Sequence, residues 1–200
     1  MRTPARLISL VALMGLFTAC GPKMPNYNYS KEPNPKESEY VIGVCDQLSI
    51  NVWKNDQLST SVVVRPDGTV TMPLVGDLTA KDKTPSELRK EIAKRLAEYV
   101  KLDSSEITVA VDQANSYQFT VSGEVTRAGI VRSPSYMTVA EAIAQAGGFT
   151  TFADRDNIIL SRRNKKGKIR RIPIVYKFIE DGSHPEMNLV MISGDSLHVP

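Results

Sequence analysis

The sequence has 200 residues, of which 42% are hydrophobic and 24% are charged, with a formal net charge of +3 at pH 7. This length and composition are typical of one or two globular domains, and they exclude a fully disordered chain, a collagen-like chain and a protein with many membrane spans. Arg2 and Arg6 lie in a leader segment without acidic residues. The rest of the chain is therefore nearly neutral, and its overall charge gives no reason to expect nucleic-acid binding.

The first 20 residues have the three-part pattern of a secretory signal. Arg2 and Arg6 precede an apolar run over Leu7–Phe17, and small residues lead into Cys20. As a helix, this run would extend only about 16 Å, which is too short for a hydrocarbon core of about 30 Å. We therefore predict a signal peptide over residues 1–19 that is removed from the mature protein.

The residues around the predicted cleavage site resemble the lipobox of bacterial lipoproteins. The resemblance implies that Cys20 is acylated, and that Gly21, in place of the Asp that retains many lipoproteins at the inner membrane, directs the protein to the outer membrane. The alternative is an ordinary signal peptide with an incidental cysteine. Residues 20–39 contain four prolines and many polar side chains, and they predict a flexible, lipid-anchored tether.

Cys45 is the second of two cysteines. If Cys20 is acylated, no disulfide can form within the mature chain. Two interpretations remain for Cys45, a buried inert thiol and a bridge between subunits. His184 and His198 have no second plausible ligand near them in sequence, so we expect no zinc site and no cofactor.

Residues 40–113 predict a first small unit. Leu48, Ile50 and Val52 alternate with polar residues, as in a half-buried strand. The turn residues Pro66–Gly68 predict a hairpin between the extended segments on either side. A capping box formed by Thr84 and Glu87 predicts an amphipathic helix over about residues 85–100, and a further strand follows around residues 107–111.

Residues 117–200 predict a second small unit. An alternating strand begins at Tyr117, and a second capping box, Thr138 with Glu141, predicts a short helix through Ala146. Gly147 and Gly148 supply the left-handed residues that end helices. Strands follow near residues 158–162, 169–175, 189–192 and 197–199. The predicted fold class is α+β, with two small units.

Each unit has an aspartate at the entrance to an alternating strand. Asp46 precedes the strand of Leu48 and Ile50, and Asp195 precedes Leu197 and Val199. A carboxylate in this position can accept hydrogen bonds from nearby backbone N–H groups in an Asx-type turn. We therefore interpret both aspartates as structural turn residues.

These motifs, in this order, resemble the polysaccharide biosynthesis/export family, which includes the Wza-type outer-membrane export lipoproteins. The first unit is similar to its N-terminal polysaccharide-export domain, and the second to its β-grasp-like, soluble-ligand-binding SLBB domain. The residues that match the family motifs, all interpreted as structural, are Gly43, Asp46, Arg65, Pro66, Asp67, Gly68, Gly123, Gly129, Gly147, Gly148, Gly194 and Asp195. One departure concerns Cys45. Family members usually have glycine there, and a side chain is unfavourable if the backbone needs a positive φ.

The resemblance implies a lipid-anchored, periplasm-facing outer-membrane protein. It implies a homo-oligomeric ring through which capsular or extracellular polysaccharide passes, with edge strands as candidates for pairing between subunits. It also implies an inner-membrane polysaccharide copolymerase as partner. Because residues after the last predicted strand are lacking, we expect a short form without a C-terminal membrane helix, which works with a separate outer-membrane β-barrel.

The strongest local charge is a run of seven basic residues: Arg162, Arg163, Lys165, Lys166, Lys168, Arg170 and Arg171. Arg163, Lys165, Lys166 and Lys168 are candidate contacts for a polyanion such as an acidic sugar or a lipid phosphate. The alternative is a solvated hairpin tip. Nucleic acid is not expected in a periplasmic compartment.

Two further functions stay open. A membrane-tethered, monomeric carbohydrate-binding module is the main alternative, and the aromatic residues Phe149, Phe152, Tyr176 and Phe178 are candidates for sugar stacking or for core packing. A glycosidase would need two carboxylates across a cleft. Asp154 and Asp156 are more simply interpreted as turn residues, so we expect no enzymatic activity.

Overall fold

The computed structural model of the protein describes residues 23–100, 106–164 and 167–200. The chain forms two α+β units, and each has its own hydrophobic core. Cys20, Gly21, Lys165 and Lys166 lie outside the described residues. No helix in the described ranges has the length and apolar character needed to cross a bilayer.

The first unit is built around a central antiparallel strand. Its elements are β1 (Gln47–Val52), β2 (Thr60–Val63), β3 (Thr69–Met72), β4 (Gly76–Thr79), α1 (Pro85–Leu96) and β5 (Ile107–Gln113). Strand β1 lies between β2 and β5, with Leu48 opposite Val62 on one side and Val111 on the other. The predicted alternation is confirmed, since Leu48, Ile50 and Val52 are all buried.

Helix α1 covers this sheet with one apolar face. Leu88, Ile92 and Leu96 recur every four residues and are completely buried. The capping box is confirmed, because the Thr84 side chain accepts from the Glu87 N–H while the Glu87 carboxylate accepts from the Thr84 N–H. The helix ends at Leu96 and is one turn shorter than predicted.

The turn at Pro66–Gly68 forms as predicted, but the hairpin around it does not. The Arg65 N–H donates to the Thr69 carbonyl, and the Gly68 N–H to the Arg65 carbonyl. Beyond this turn, however, β2 pairs with β1 and β3 pairs with β4. The hairpin prediction failed because β3 pairs with β4 across a second short connection, residues 73–75, while β2 pairs with β1.

The second unit is a five-stranded mixed sheet with two short helices packed against its core. Its elements are β6 (Gln118–Gly123), β7 (Gly129–Arg132), α2 (Val139–Gln145), β8 (Ile158–Arg163), β9 (Ile169–Ile174), α3 (Tyr176–Glu180) and β10 (Ser196–Val199). The strand order is β7-β6-β10-β8-β9, and β10 runs parallel to β6 and antiparallel to β8. The second capping box and the glycine stop are both confirmed, since Thr138 and Glu141 cap α2, and Gly147 and Gly148 have φ values of 83° and 81°.

The segment before Tyr40 is folded against the second unit. It has 3₁₀ turns at Tyr29–Lys31 and Pro35–Glu37. The Tyr29 ring is 4% exposed, and its hydroxyl donates to the Pro173 carbonyl at 2.6 Å. The prediction of a flexible tether is therefore wrong for residues 27–37, because an aromatic ring and an acidic side chain in this segment find partners on the second unit.

The sheet of the second unit requires glycine at position 123. A Cβ atom built at Gly123 would lie 1.8 Å from the Val199 carbonyl oxygen, and the residue has a φ of +87°. Gly148 has a similar φ of +81°, but a Cβ atom built there would meet no atom within 4 Å beyond its chain neighbours. These two glycines separate the cost of a close contact from the cost of the backbone conformation.

We predict that Gly123→Ala destabilises the protein strongly, while Gly148→Ala costs only the roughly 1–2 kcal/mol of a left-handed alanine. The contact with Val199 should add at least about 2 kcal/mol to the loss of unfolding free energy in Gly123→Ala. Denaturant unfolding of both variants measures the difference. Equal losses in the two variants would contradict the close packing of β6 against β10.

Candidate functional site

Asp46 lies at the junction of the two units and is fully buried. Its Oδ2 accepts from the Gly43 N–H at 2.7 Å, the Tyr40 hydroxyl at 2.8 Å and the Ser116 hydroxyl at 3.0 Å, and its Oδ1 accepts from the Ser116 N–H at 2.7 Å. Asp46 thus holds a turn, but the turn is not of the expected Asx type, because the backbone N–H that it binds lies three residues before it. The carboxylate also reaches beyond its own turn, because Ser116 belongs to the connection between the units.

Gly43 is needed because Ser116 packs directly against it. A Cβ atom at Gly43 would lie 2.3 Å from both Cβ and Oγ of Ser116. Ser193 of the second unit then donates through its hydroxyl to the Ser116 carbonyl at 2.6 Å. Asp46, Gly43 and Ser193 thus hold the connection between the units from both sides.

Asp195 forms the corresponding clamp in the second unit. Its Oδ2 accepts from the Ile192 N–H at 2.9 Å, three residues earlier, as Asp46 accepts from Gly43. The residue before each aspartate has a positive φ, 82° at Gly194 and 71° at Cys45. The two turns therefore have the same geometry, with a positive φ before the aspartate and a hydrogen bond from the N–H three residues earlier. This shared geometry accounts for the similarity of the two local sequences.

Cys45 occupies a backbone conformation that favours glycine, and its side chain is exposed. The interpretation as a buried inert thiol is wrong, because Cys45 is exposed at the surface of the turn. The alternative of a bridge between subunits stays a prediction. The Cys45 carbonyl accepts from the Asn115 side chain at 3.0 Å, which adds another contact to the connection between the units.

Arg162 is the centre of a buried cluster of charges. Its guanidinium donates to Asp195 at 2.7 and 3.1 Å and to Glu32 at 3.2 Å, and the side chains of Arg162 and Glu32 are both 1% exposed. Arg170 also binds Glu32, at 2.9 Å. Glu32 therefore ties the segment before Tyr40 to the β8–β9 hairpin, and we call this set of contacts the Glu32 latch.

Burial and charge modify the acid–base behaviour of this cluster. Burial raises the pKa of the Asp195 carboxyl, and the hydrogen bonds and positive charge of Arg162 oppose that shift. Burial and the hydrogen bond to Glu32 raise the pKa of Tyr27 to about 12. The buried carboxylates of Asp195 and Glu32 both depend on Arg162, since removal of one partner of a buried ion pair leaves an uncompensated charge.

The basic run is divided between two environments. Arg162 is buried in the charge cluster, so the interpretation of the whole run as a solvated tip is wrong for this residue. Arg163 is exposed and donates to the Gly167 carbonyl at 3.0 Å, and Lys168 is also exposed. Lys165 and Lys166 lie outside the described residues. Sequence alone missed the burial of Arg162 because its partner Glu32 is 130 residues away.

The remaining motif residues have structural positions. Asp67 accepts from the N–H and hydroxyl of Thr69 in the Pro66–Gly68 turn, at 3.0 and 2.7 Å, and Arg65 forms an ion pair with Asp77 at 3.0 Å. Gly129 is the first residue of β7. Within the described ranges, no three His, Cys, Asp or Glu side chains are arranged to hold a metal ion.

The four aromatic candidates for sugar stacking differ in burial. Phe149, Tyr176 and Phe178 pack against the core of the second unit. Phe152 is 84% exposed and does not join them. The Arg155 guanidinium lies 4.8 Å from the Phe149 ring centroid and 5.3 Å from that of Tyr176. Asp154 is a turn residue as predicted, since it accepts from the Asp156 N–H at 3.2 Å.

A cleft of about 1180 Å³ opens between the segment before β1 and the two units. Residues of the segment and its continuation to Cys45 form one side, and residues of β7 and the β8–β9 hairpin contribute to the other. The Glu32 latch and the Asp46 clamp hold the first side in place. The cleft is a large concave surface beside the motif residues, and it is the candidate binding site.

The chain is therefore a two-domain α+β protein. In each domain a buried aspartate, Asp46 or Asp195, fixes the turn that leads into a central strand. A profile of the family described as polysaccharide biosynthesis/export protein matches residues 34–129, and a profile of the SLBB domain matches residues 118–173. Together with the relatives described next, these matches show that the chain belongs to the polysaccharide biosynthesis/export family.

Several curated proteins are similar to this chain. The EPS I polysaccharide export outer membrane protein EpsA of Ralstonia nicotianae is 28% identical, over 82% of this chain and 48% of its own length. The exopolysaccharide production protein ExoF of Rhizobium meliloti is 30% identical, over 56% of this chain and 29% of its own. The capsule polysaccharide export protein BexD of Haemophilus influenzae is 25% identical, over 68% and 32%. The chain spans about half or less of the length of these relatives.

The Glu32 latch leads to a first prediction for this region. Glu32→Gln should release the segment before Tyr40, because loss of one partner of a buried ion pair costs about 3–5 kcal/mol. Trypsin cleavage after the adjacent, exposed Lys31 should become at least about tenfold faster, since 1.4 kcal/mol already changes an opening equilibrium tenfold. Glu37→Gln, an exposed change in the same segment, serves as control and should leave cleavage unchanged. Equal cleavage of all three proteins would contradict the latch.

The positive φ of Cys45 leads to a second prediction. Cys45→Gly should stabilise the protein by about 0.5–1 kcal/mol relative to Cys45→Ala, because a residue with a Cβ pays roughly 1–2 kcal/mol in this conformation and glycine loses part of that gain as chain entropy. Thermal or urea unfolding of the two variants gives the comparison. A glycine variant that is less stable than the alanine variant would show that the turn does not have the described geometry.

Proposed function

We propose that the protein is a lipid-anchored subunit of an outer-membrane, ring-shaped translocon that exports capsular or extracellular polysaccharide. The carrying observation is that the two family profiles together match residues 34–173 of one chain, in which the motif residue Asp46 is buried at the junction of the units. In this proposal Cys20 carries the lipid, Gly21 directs the protein to the outer membrane, and the folded body faces the periplasm. The chain supplies a conduit and no catalytic step.

The rigid junction supports a role as a wall element. Ser116 is held by Asp46 of the first unit and by Ser193 of the second, at distances of 2.6 to 3.0 Å. A ring closes only when every subunit presents its two contact surfaces at the same angle. Units that are fixed to each other can meet this requirement better than units joined by a loose linker.

The edge strands support self-assembly. Val63 on β2, Ile130 on β7 and Ile169 on β9 are each more than half exposed, and each lies on the edge strand of its sheet. An edge strand presents unpaired backbone N–H and C=O groups, and an apolar side chain on it favours contact with another chain. We propose these edges as contacts between subunits. We further propose that the ring works with an inner-membrane polysaccharide copolymerase and a separate outer-membrane β-barrel.

Deletion and lipidation experiments test the proposal together. Deletion of the gene should abolish secretion of the polymer, and Cys20→Ser should abolish palmitate labelling and strongly reduce secretion. Glu37→Gln, an exposed change that leaves both cysteines in place, is the control and should retain both. The lipidated wild-type protein in mild detergent should run as a particle of many subunits.

The alternative, a monomeric carbohydrate-binding module, gives the opposite results. Particles with the mass of one chain and normal secretion by the deletion strain would favour that alternative and overturn the translocon. New reducing ends in polymer incubated with the protein would indicate a hydrolase instead.

A further inference from the structure

The cleft described above has the size and lining of a binding site for several sugar rings. Its volume of about 1180 Å³ exceeds the roughly 300–1,000 Å³ of ordinary small-molecule sites. It lies where the segment before β1 passes over the junction of the units. Because the Glu32 latch fixes this segment on the second unit, the cleft has two defined sides.

Two arginines in the lining have donors available for a ligand. Arg132 and Arg163 are exposed, and among residues 23–100, 106–164 and 167–200 neither forms an ion pair with a carboxylate. Arg132 donates from Nε to Gln118 at 3.0 Å, and Arg163 donates from one terminal nitrogen to the Gly167 carbonyl at 3.0 Å. Each guanidinium has five N–H donors, so each retains donors that match a carboxylate.

Arg132 and Arg163 are the lining arginines whose charge is not balanced by a carboxylate within the described part of the chain. Arg162 and Arg170 are neutralised by Glu32 and Asp195. The lining also includes one lysine, Lys81, and two carboxylates, those of Asp82 and Glu39. Glu39 accepts from the Ser86 N–H at 2.9 Å and is engaged at the start of α1. The local balance therefore favours a ligand with negative charge near Arg132 and Arg163.

Aromatic rings in the same cleft provide an apolar surface. Tyr40 and Tyr136 are half-buried, and their ring centroids lie 6.5 Å apart. Tyr136 is held edge-on against Tyr117 at 5.0 Å, so its orientation is fixed. Rings with a polar tip and an apolar face suit sugars, which present C–H groups on one face and hydroxyls at the rim.

We propose that this cleft binds a carboxylate-bearing segment of the exported polysaccharide. Arg132 and Arg163 donate hydrogen bonds to carboxylates of acidic sugars, and Tyr136 contacts a sugar face. This inference rests on the proposed function and names the substrate class, which is an acidic glycan. The site lies at the junction of the units, and Ser116 and Ser193, which join the units, also line the cleft.

Binding of galacturonate hexasaccharide to the full lipidated chain in detergent tests the assignment, with maltohexaose as the neutral probe and inorganic phosphate as the simple anion. The double variant Arg132→Gln/Arg163→Gln should bind the acidic hexasaccharide at least about tenfold more weakly, since charge-assisted hydrogen bonds contribute more than the 1.4 kcal/mol of a tenfold change. Arg127→Gln/Arg171→Gln is the matched control. Both of its residues are exposed and lie outside the lining, and the double change removes the same charge.

Cys45 provides a second readout, because it is exposed and lines the cleft. Galacturonate hexasaccharide should slow the reaction of the Cys45 thiol with a small alkylating reagent, as followed by peptide mass mapping. Maltohexaose and phosphate should not. The cleft variant should lose this protection and the control variant should retain it.

Several results would overturn the assignment. These are no binding of the acidic hexasaccharide to the wild type, equal weakening in both double variants, or equal protection of Cys45 by maltohexaose or phosphate. None of these results bears on export itself. If deletion abolishes secretion while the cleft fails these tests, the proposed function stands and only the acidic-glycan site is lost.

Discussion

The structure depends on one buried positive charge, that of Arg162. A guanidinium with 1% exposure is stable only when its charge is paired and its donors are satisfied, and Asp195, Glu32 and the Val190 carbonyl meet this requirement. The two charged partners belong to different parts of the chain. Asp195 forms the turn that leads into the last strand, and Glu32 belongs to the segment before the first unit. One interaction therefore fixes both ends of the folded body to the same hairpin, and it defines one side of the cleft between the units.

Asp46 plays the equivalent part in the first unit, with a different reach. The backbone device is the same in both units, since a residue with positive φ precedes an aspartate that accepts from the N–H three residues earlier. Asp195 accepts its other hydrogen bonds from Arg162, whereas Asp46 accepts hydrogen bonds from Ser116 in the connection between the units. The first unit is thereby held to the second through hydrogen bonds of a buried carboxylate. The motif residues Asp46 and Asp195 therefore have a structural role, which is to fix turns and to join parts of the folded chain.

The parts of the fold that sequence predicts well are those with local causes. Both capping boxes, the glycine stop after α2, the alternation of Leu48 with Ile50, and the two aspartate turns all depend on residues within four positions of each other. The failures involve distant partners. Nothing near Glu32 indicates that Arg162 will bury it, and seven basic residues in close succession suggest solvent exposure for all of them. The wrong hairpin is an exception, because β3 pairs with β4 across a short connection, residues 73–75, and this local hairpin replaces the one expected around Pro66–Gly68. The cleft was missed because its two arginines, at positions 132 and 163, lie far apart along the chain.

The most direct test of the latched segment is amide hydrogen exchange in the folded protein. The Glu32 N–H donates to the Tyr29 carbonyl at 3.0 Å, and the Glu37 N–H to the Asn34 carbonyl at 3.1 Å. If Arg162 holds this segment in place, both amides should exchange at least about a hundredfold more slowly than in an unstructured peptide of the same sequence, since an opening cost of about 2.7 kcal/mol gives that factor. Exchange at the rate of the free peptide would show that the segment is a loose tether and that the cleft lacks one of its sides.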